Sequence, residues 1–265
     1  MAIDVAVLLS IGQHPASRRS RRADLDSRAL ELTLRLGQAV RLHAVHAGDP
    51  AEPALADYLG MGLQALTVLR QPPGVDVFPA IAHHLAGLAP ALILCGTAAE
   101  IGEGSGMLPY MLARDLRAAL LPSIAELTLE NGGITALQAL PRGRRRRLKA
   151  ALPAIVTVDR SAPTARQSAF LRARAGVIET MDLPAGPRLE AKAREMPARP
   201  RPRRLKVVTA VSAAERLRAA TEMQAGRGQL LVDPRPEDAA EAIFDYLVKE
   251  GILSSATLVP SGTRD

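Results

Sequence analysis

Residues Ala91 to Ala113, ALILCGTAAEIGEGSGMLPYMLA, decide the fold. Ala91-Leu92-Ile93-Leu94-Cys95 is an apolar run too short for an ordinary helix, and Gly96 ends it, which suits a parallel strand buried on both faces. A loop of small residues follows, with Gly102, Gly104 and Gly106, before Met107, Leu108, Met111 and Leu112 recur at helical spacing. The unit is strand, glycine-rich turn, helix. In such a unit the free N–H groups of the helix start face the C-terminal edge of the sheet, where an anion or a nucleotide phosphate can sit. Ser105 is placed either to cap that helix or to donate to the phosphate. No Walker lysine follows the glycines and the GxGxxG spacing is missing, so this motif alone assigns no ligand. Glu100 and Glu103 also oppose a bare phosphate at the mouth.

The same rhythm extends to both sides. Ile3 to Leu9 reads as the first strand, with Ser10 to Pro15 as the loop leaving it, and Asp24 to about Gly37 as a helix with Leu25, Ala29, Leu32 and Leu36 on one face. Arg41 to His46 is a second strand; Pro53 to Leu59 a helix ahead of a Gly60-Met61-Gly62 turn; Ala65 to Leu69 a third strand; Pro79 to Leu88 a helix. Strands alternating with helices at this spacing predict an α/β fold with a doubly wound, mostly parallel sheet. Past Leu121 the pattern changes. Ile124 to Leu129, an Asn131-Gly132-Gly133 turn and Ile134 to Leu140 read as a hairpin, with Arg145 to Lys149 and Ala154 to Val158 as further antiparallel strands extending the sheet edge.

Arg160 to Ala175 is polar and basic, with a short helix expected near Ser168 to Ala173. Leu183 to Arg204, rich in Pro, Arg and Ala, has linker composition, followed by an apolar Lys206 to Val211 and an amphipathic helix from Pro236 to Gly251 carrying Ala239, Ile243, Tyr246 and Leu247 on one face. Residues 1–182 therefore form the expected α/β domain, and 183–265 a linker and C-terminal arm that either reaches another subunit or folds back.

Composition narrows the chemistry. With one cysteine, Cys95, the chain can form no internal disulfide and cannot supply the several thiolates of an iron–sulfur cluster or structural zinc. His43 and His46 alternate on one strand and His83-His84 sit in a helix, so no metal set is expected. The net charge of +7 gathers in arginine runs at 18–22, 142–147 and 199–204, yet aromatics make up 2% of residues, leaving little to stack on nucleic-acid bases. No apolar run approaches the roughly twenty residues that cross a bilayer, and MAIDVAVLLS lacks the basic start of a signal peptide. A cytoplasmic protein with neither nucleic-acid binding nor direct membrane insertion is expected.

Four passages together resemble the beta subunit of electron transfer flavoprotein, the FixA-type family. Asp26-Ser-Arg-Ala29-Leu-Glu31-Leu-Thr-Leu34-Arg-Leu36 is similar to that family's D-x-x-A-x-E-x-A-L-R-L helix, and Leu59-Gly60-Met61-Gly62 to its A-M-G-A-D turn. Leu92-Ile-Leu-Cys-Gly96, leading to Gly104-Ser105-Gly106-Met-Leu-Pro109, resembles L-I-L-x-G…T-G-x-V-P, and Leu152-Pro-Ala-Ile-Val-Thr-Val-Asp159 is close to L-P-A-V-V-T-V-D. These passages span about residues 3 to 178. The resemblance implies a heterodimer with an alpha subunit, an FAD shared with and held mainly by that partner, and AMP in the beta chain. Electrons would pass from a flavin dehydrogenase to a quinone reductase or another acceptor, the flavin doing the redox work and no residue of this chain serving as a catalytic group.

Carried over by position, the resemblance assigns the nucleotide site to Leu8, to Ala23, Asp24, Leu25 and Asp26, to Ala47, and to Gly96, Thr97, Ala98, Ala99, Gly102, Glu103, Gly104 and Ser105, with His14 near the flavin. It assigns a partner-facing loop to Arg166, Gln167, Phe170 and Leu171. Departures accompany the match. Ala23-Asp24 stands where the family has N-P, Gly104 and Met107 stand where polar groups are common, and Arg144 to Arg147 replaces acidic residues. The loop's anchoring leucine falls near Gln167, with Phe170 or Leu171 as substitutes. A divergent paralogue with a different redox partner is the expectation. The alternatives are a nucleotide-sensing module of the universal-stress-protein type, an electron-bifurcating version with a second FAD in place of AMP, and a degenerate paralogue with an empty pocket.

Overall fold

The computed structural model describes residues 2–102, 104–130, 132–189, 197, 212–221, 231–249 and 253. In chain order these form strands β1 (Ile3–Leu9), β2 (Ile11–Gln13) and β3 (Ser20–Arg22), helix α1 (Asp24–Arg35), β4 (Val40–Gly48), α2 (Leu55–Leu59), β5 (Ala65–Arg70), α3 (Phe78–Leu88), β6 (Leu92–Gly96) and α4 (Leu108–Asp115). There follow β7 (Ala119–Glu130), β8 (Gly133–Ala139), β9 (Arg145–Ala151), β10 (Ala154–Val158), α5 (Phe170–Ala175), β11 (Val177–Asp182), α6 (Ala213–Thr221) and α7 (Pro236–Lys249). The chain divides into two compact units, Met1–Ala193 and Arg194–Asp265.

Nine strands of the first unit make one sheet in the order β11-β5-β4-β1-β6-β10-β7-β8-β9. It is parallel from β11 to β7 and antiparallel across β7-β8-β9. The doubly wound, mostly parallel sheet with an antiparallel extension is therefore present. Alternation along β1 sends Val5, Val7 and Leu9 to one face, against Leu30 of α1 and Leu55 and Tyr58 of α2, and Ala6 and Leu8 to the other, against Ile81 and Leu85 of α3 and Leu112 of α4. Each fully buried leucine contributes roughly 2 kcal/mol of burial free energy, so both faces must be covered for the parallel part to be stable.

Ala154 to Val158 does not join the antiparallel extension as the sequence suggested. It lies in the interior as β10, parallel to β6 with Ala154 opposite Leu92 and Val158 opposite Gly96. All five of its residues are buried, the burial of a strand covered on both faces. The extension starts instead inside β7, which pairs antiparallel with β8 from Ile124 and parallel with β10 over Ala119–Leu121 and, after a register shift, again at Ile124. Between the two stands Pro122, which has no N–H to donate, and Ser123 with φ of 56°, whose N–H turns to Thr157 Oγ1 at 3.0 Å. Asn131 of the expected turn lies outside the described residues.

Two further elements were not legible as strands. β11 pairs with β5 along the sheet edge, and β2 with β3 as a small separate hairpin. Leu183 to Leu189, the start of the linker-like stretch, is bonded to the loop after β5: Gln71 Nε2 donates to Pro184 O at 3.3 Å, Gly186 N to Gln71 Oε1 at 3.1 Å, and Asp76 N to Pro187 O at 2.8 Å. The stretch Lys206 to Val211 lies outside the described residues. In the second unit, Ser212 and Glu215 close a reciprocal capping box at the start of α6, Glu215 N donating to Ser212 Oγ at 3.2 Å and Ser212 N to Glu215 Oε2 at 3.1 Å. Helix α7 spans Pro236–Lys249 of the expected amphipathic stretch, residues 250 and 251 lying outside the described ones, with Ile243 and Tyr246 exposed. No helix among the described residues is long and apolar enough to cross a membrane.

The segment 159–169 is tied down at Glu31, a buried carboxylate on α1. Arg166 Nε donates to Glu31 Oε2 at 2.7 Å, Arg166 N to the same oxygen at 3.2 Å, and Arg35 Nε to Oε1 at 2.9 Å. Burial alone would raise this carboxyl, but the arginine hydrogen bonds overcome it and hold the pKa at about 2. A depressed folded pKa adds stability that is full above the unfolded value and lost as pH falls through the folded one. Glu31→Gln should therefore cost about 2 kcal/mol at neutral pH in urea unfolding. The wild-type chain should lose the same margin between pH 4.5 and about 2, whereas the variant should show no such loss.

Candidate functional site

Because β4 and β5 lie to one side of β1 and β6 to the other, the chain reverses direction between β1 and β6. The loops after these two strands leave toward opposite faces, α1 on one and α4 on the other. The crevice at their carboxyl ends is where open α/β sheets receive ligands.

Asp26, in the first turn of α1, stands in that crevice. Its Oδ2 accepts Ser10 N at 2.7 Å and Ser10 Oγ at 2.5 Å, and its Oδ1 accepts Gly96 N at 2.7 Å. One buried carboxylate thus joins the ends of β1 and β6. Desolvation raises its pKa against the opposing hydrogen bonds from Ser10 and Gly96. Gly96 has to be glycine here, since a Cβ would stand 2.7 Å from Asp26 Oδ1 and 2.8 Å from Leu25 Cβ.

Tyr58 of α2 supports the same corner from below. It is fully buried, its hydroxyl accepting Ala23 N at 2.9 Å and donating to Ser10 O at 2.7 Å. Across the top, Glu100 Oε1 accepts Asp24 N, the first N–H of α1, at 2.8 Å, and Glu100 Oε2 accepts Arg21 Nη2 at 2.8 Å. Gly12 makes room for this carboxylate, for a Cβ there would lie 2.5 Å from Glu100 Oε2. The β2-β3 hairpin, the start of α1 and the loop after β6 are therefore bound to one another. Beside them Arg22 Nη1 is buried without an acceptor among the described residues.

Past Glu100 the loop is exposed and shaped by left-handed glycines, Gly102 (φ 86°), Gly104 (φ 60°) and Gly106 (φ 71°). At Gly106 a Cβ would stand 2.7 Å from Thr97 O, so the loop can fold back on itself only with glycine there. Ser105 Oγ accepts Met107 N at 3.2 Å, holding the turn into α4.

Of the residues singled out in the sequence, Ala23, Asp24, Leu25, Asp26 and Gly96 meet at the crevice, and Thr97, Ala98, Ala99, Gly102, Gly104 and Ser105 form the loop on its rim. Glu103 lies outside the described residues. Leu8 is buried in the core on the α3–α4 side, and Ala47 is half-buried near the end of β4. His14 is exposed in the turn between β2 and β3, where its Nδ1 accepts Ser17 N at 3.1 Å. Arg166 faces inward to Glu31, whereas Phe170 and Leu171 at the start of α5 are 72% and 79% exposed. Ala169 N donates to Gly60 O at 2.9 Å, so the glycine turn after α2 braces that loop.

Sequence reasoning missed Ser10, Tyr58, Glu100 in its bonding role, and Arg21. A helix-start aspartate following a loop off a strand end was a usable signal for the first. Nothing local marked the Tyr58 hydroxyl. His46 was weighed only as a metal ligand; it is buried, its Nδ1 donating to Leu9 O at 2.9 Å, and desolvation lowers its pKa, so the ring is neutral. Among the described residues no cluster of His, Cys, Asp and Glu could hold a metal. A hollow of about 480 Å³ between Leu32, Leu36, Leu127 and Leu129 lies at the far end of α1, away from this crevice. Converging donors and acceptors, and not volume, identify the site.

Comparison with known proteins gives the same direction. The electron transfer flavoprotein domain matches residues 17–185. The electron transfer flavoprotein subunit beta of Chromohalobacter salexigens is 49% identical over 260 residues, covering 95% of this chain and 96% of its own length.

Removing the Asp26 side chain should leave two buried N–H groups without acceptors. Asp26→Ala is expected to cost about 2–3 kcal/mol and Ser10→Ala about 1 kcal/mol, each read from chemical unfolding of the purified chain. Asp26→Asn should fall between them, keeping one acceptor and turning an amide N–H₂ toward the remaining donors.

Proposed function

From the premise that the chain belongs to the electron transfer flavoprotein beta-subunit family, we propose that it is half of a cytoplasmic two-subunit electron carrier. In this reading an alpha-type chain holds most of an FAD, and the crevice between β1 and β6 holds AMP. The observation that carries the nucleotide assignment is a coincidence of two independent lines. The segments Ala23–Asp26 and Gly96–Ser105, which the family resemblance assigns to the nucleotide, come together at the one reversal point of the sheet, where the topology by itself calls for a ligand.

The residues present fit such a group. Gly96 and Gly106 let the strand end and the loop close on Asp26, Leu25 and Thr97 at the crevice, and Arg22 Nη1 is a buried donor with no acceptor among the described residues. The carboxylates that would repel a phosphate are already engaged: Asp26 by Ser10 and Gly96, Glu100 by Asp24 N and Arg21. The N–H groups of Gly104 and Ser105, on the loop ahead of α4, would then cradle the phosphate, and Asp26 would fix the distance between the two strand ends that bracket it. Bound flavin supplies the capacity to take up and release electrons. The protein chain is asked to bind, to orient and to exclude water.

Exposed Phe170 and Leu171, braced on Gly60, offer a flavin dehydrogenase an apolar contact held on a firm support. The amphipathic face of α7, with Ile243 and Tyr246 open, suits the alpha-type partner. A quinone reductase or a comparable carrier would take the electrons onward.

Co-expression with an alpha-type chain, followed by denaturing release and quantification of cofactors, tests this. Equimolar FAD and AMP in a yellow heterodimer is the expected result. FAD in twofold excess with no AMP would replace the structural nucleotide by a second flavin. ATP released from a self-associated chain without flavin would overturn the carrier reading in favour of a nucleotide sensor.

A further inference from the structure

The sheet ends at β9, whose outer side pairs with no described strand. This edge carries Arg145, Arg146 and Arg147, and the turn leading into it carries Arg142 and Arg144, all exposed. Among the described residues no ion pair joins any of these five guanidinium groups to a carboxylate. Lys149, farther along the strand, takes Glu130 at 3.1 Å. Arg146 turns to the covered face, donating to Gln138 Oε1 at 2.7 Å.

The register sets the geometry of the remainder. Arg145, Arg147 and Lys149 stand opposite Ala139, Leu137 and Thr135 of β8, so they share one face at alternate positions roughly 7 Å apart. Edge strands are commonly blunted by a charge or two. Five arginines within six residues, none in an ion pair among the described residues and only Arg147 acting on a nearby carboxylate, Glu130, exceed that need and repel one another. A ligand satisfying this edge must meet two rows at once, the free backbone N–H and C=O groups and the alternating cations. Lipid headgroups and nucleic-acid phosphates supply anions but no matching backbone, and β7 to β9 hold no aromatic residue on which a base could stack.

The geometry points to β9 as a docking edge for an acidic, extended polypeptide segment, which adds as a tenth strand with Asp or Glu opposite Arg145 and Arg147. Backbone pairing supplies affinity and the alternating charges fix the register. This inference rests on the edge alone and is independent of the cofactor assignment.

The probe is a labelled peptide alternating Glu with Val, its Lys counterpart, and a DNA duplex of equal charge, each titrated onto the full chain. The Glu peptide is expected to bind, with protection of the β9 amides in hydrogen exchange. Arg145→Glu/Arg147→Glu should weaken it by about tenfold or more, a loss of about 1.4 kcal/mol, and should admit the Lys peptide in its place, which also shows that the variant is folded. If that variant does not fold, Arg145→Gln/Arg147→Gln carries the same comparison. In the two-subunit complex, β9 amides protected without peptide and released by the charge reversal would identify the alpha-type chain as the acidic partner. Binding of the peptide that ignores the reversal, unprotected β9 amides, or a duplex that binds as tightly as the peptide would each overturn the proposal.

Discussion

The molecule depends on one carboxylate serving three donors. Asp26 is the only side chain described that bonds the ends of both β1 and β6, and it does so from the first turn of α1. A doubly wound sheet splays apart at its reversal point, because the two flanking loops leave in opposite directions. Without a bridge, the N–H groups of Ser10 and Gly96 would face that opening unpaired. Asp26 closes the gap, and in doing so it dictates glycine at 96, brings Leu25 against that glycine and sets where α1 begins. Tyr58, whose hydroxyl meets both Ala23 N and Ser10 O, carries the same constraint one layer deeper, into the core beneath α2. Site and fold therefore share these atoms.

Two carboxylates on α1, Asp26 and Glu31, titrate in opposite senses because their donors differ. Asp26 has neutral donors only, and burial raises its pKa. By linkage a raised carboxyl contributes stability that is present below its unfolded pKa and is lost as pH rises through the folded value. Glu31 has two guanidinium partners, which overcome burial and hold it at about 2, so its contribution is lost on acidification. The end of α1 near the crevice is thus held at an energetic cost at neutral pH, while the next turn, away from the crevice, is secured.

How much of this could be read beforehand follows from where the determining forces lie. Parallel strands and their helices were legible, because β1, β4 and β6 bury apolar runs and α1 shows a clear face. β10 was assigned to the wrong part of the sheet even though its uninterrupted apolar run was available; its neighbours in sequence are antiparallel, and chain order misled. β11 gave no signal, since as an edge strand beside β5 only Ile178 is even half-buried and the alternation is lost. At the crevice, the backbone segments were legible from the glycines and from the family resemblance. Their bonding was not, for Ser10, Tyr58 and Glu100 meet α1 from 16, 35 and 76 residues away, and no local pattern encodes such contacts.

The two ends of the sheet show that its charges are not distributed merely for solubility. Both β11 and β9 present an open edge, and both bear ionised groups there. On β11, Asp182 is answered within the fold by Arg70 on the adjoining strand at 2.8 Å. On β9, the neighbouring strand offers Ala139, Leu137 and Thr135 where carboxylates could have stood, and no ion pair among the described residues joins these arginines to a carboxylate. A chain that needed only to keep its edges apart could have used the β11 solution at both ends. Leaving one end with a paired aspartate and the other strongly cationic sets up a like-charge repulsion at β9 that an anionic partner would relieve. The antiparallel extension, the part of the sheet least covered by helices, is thereby set apart for contact, while the parallel part is committed to the core and the crevice.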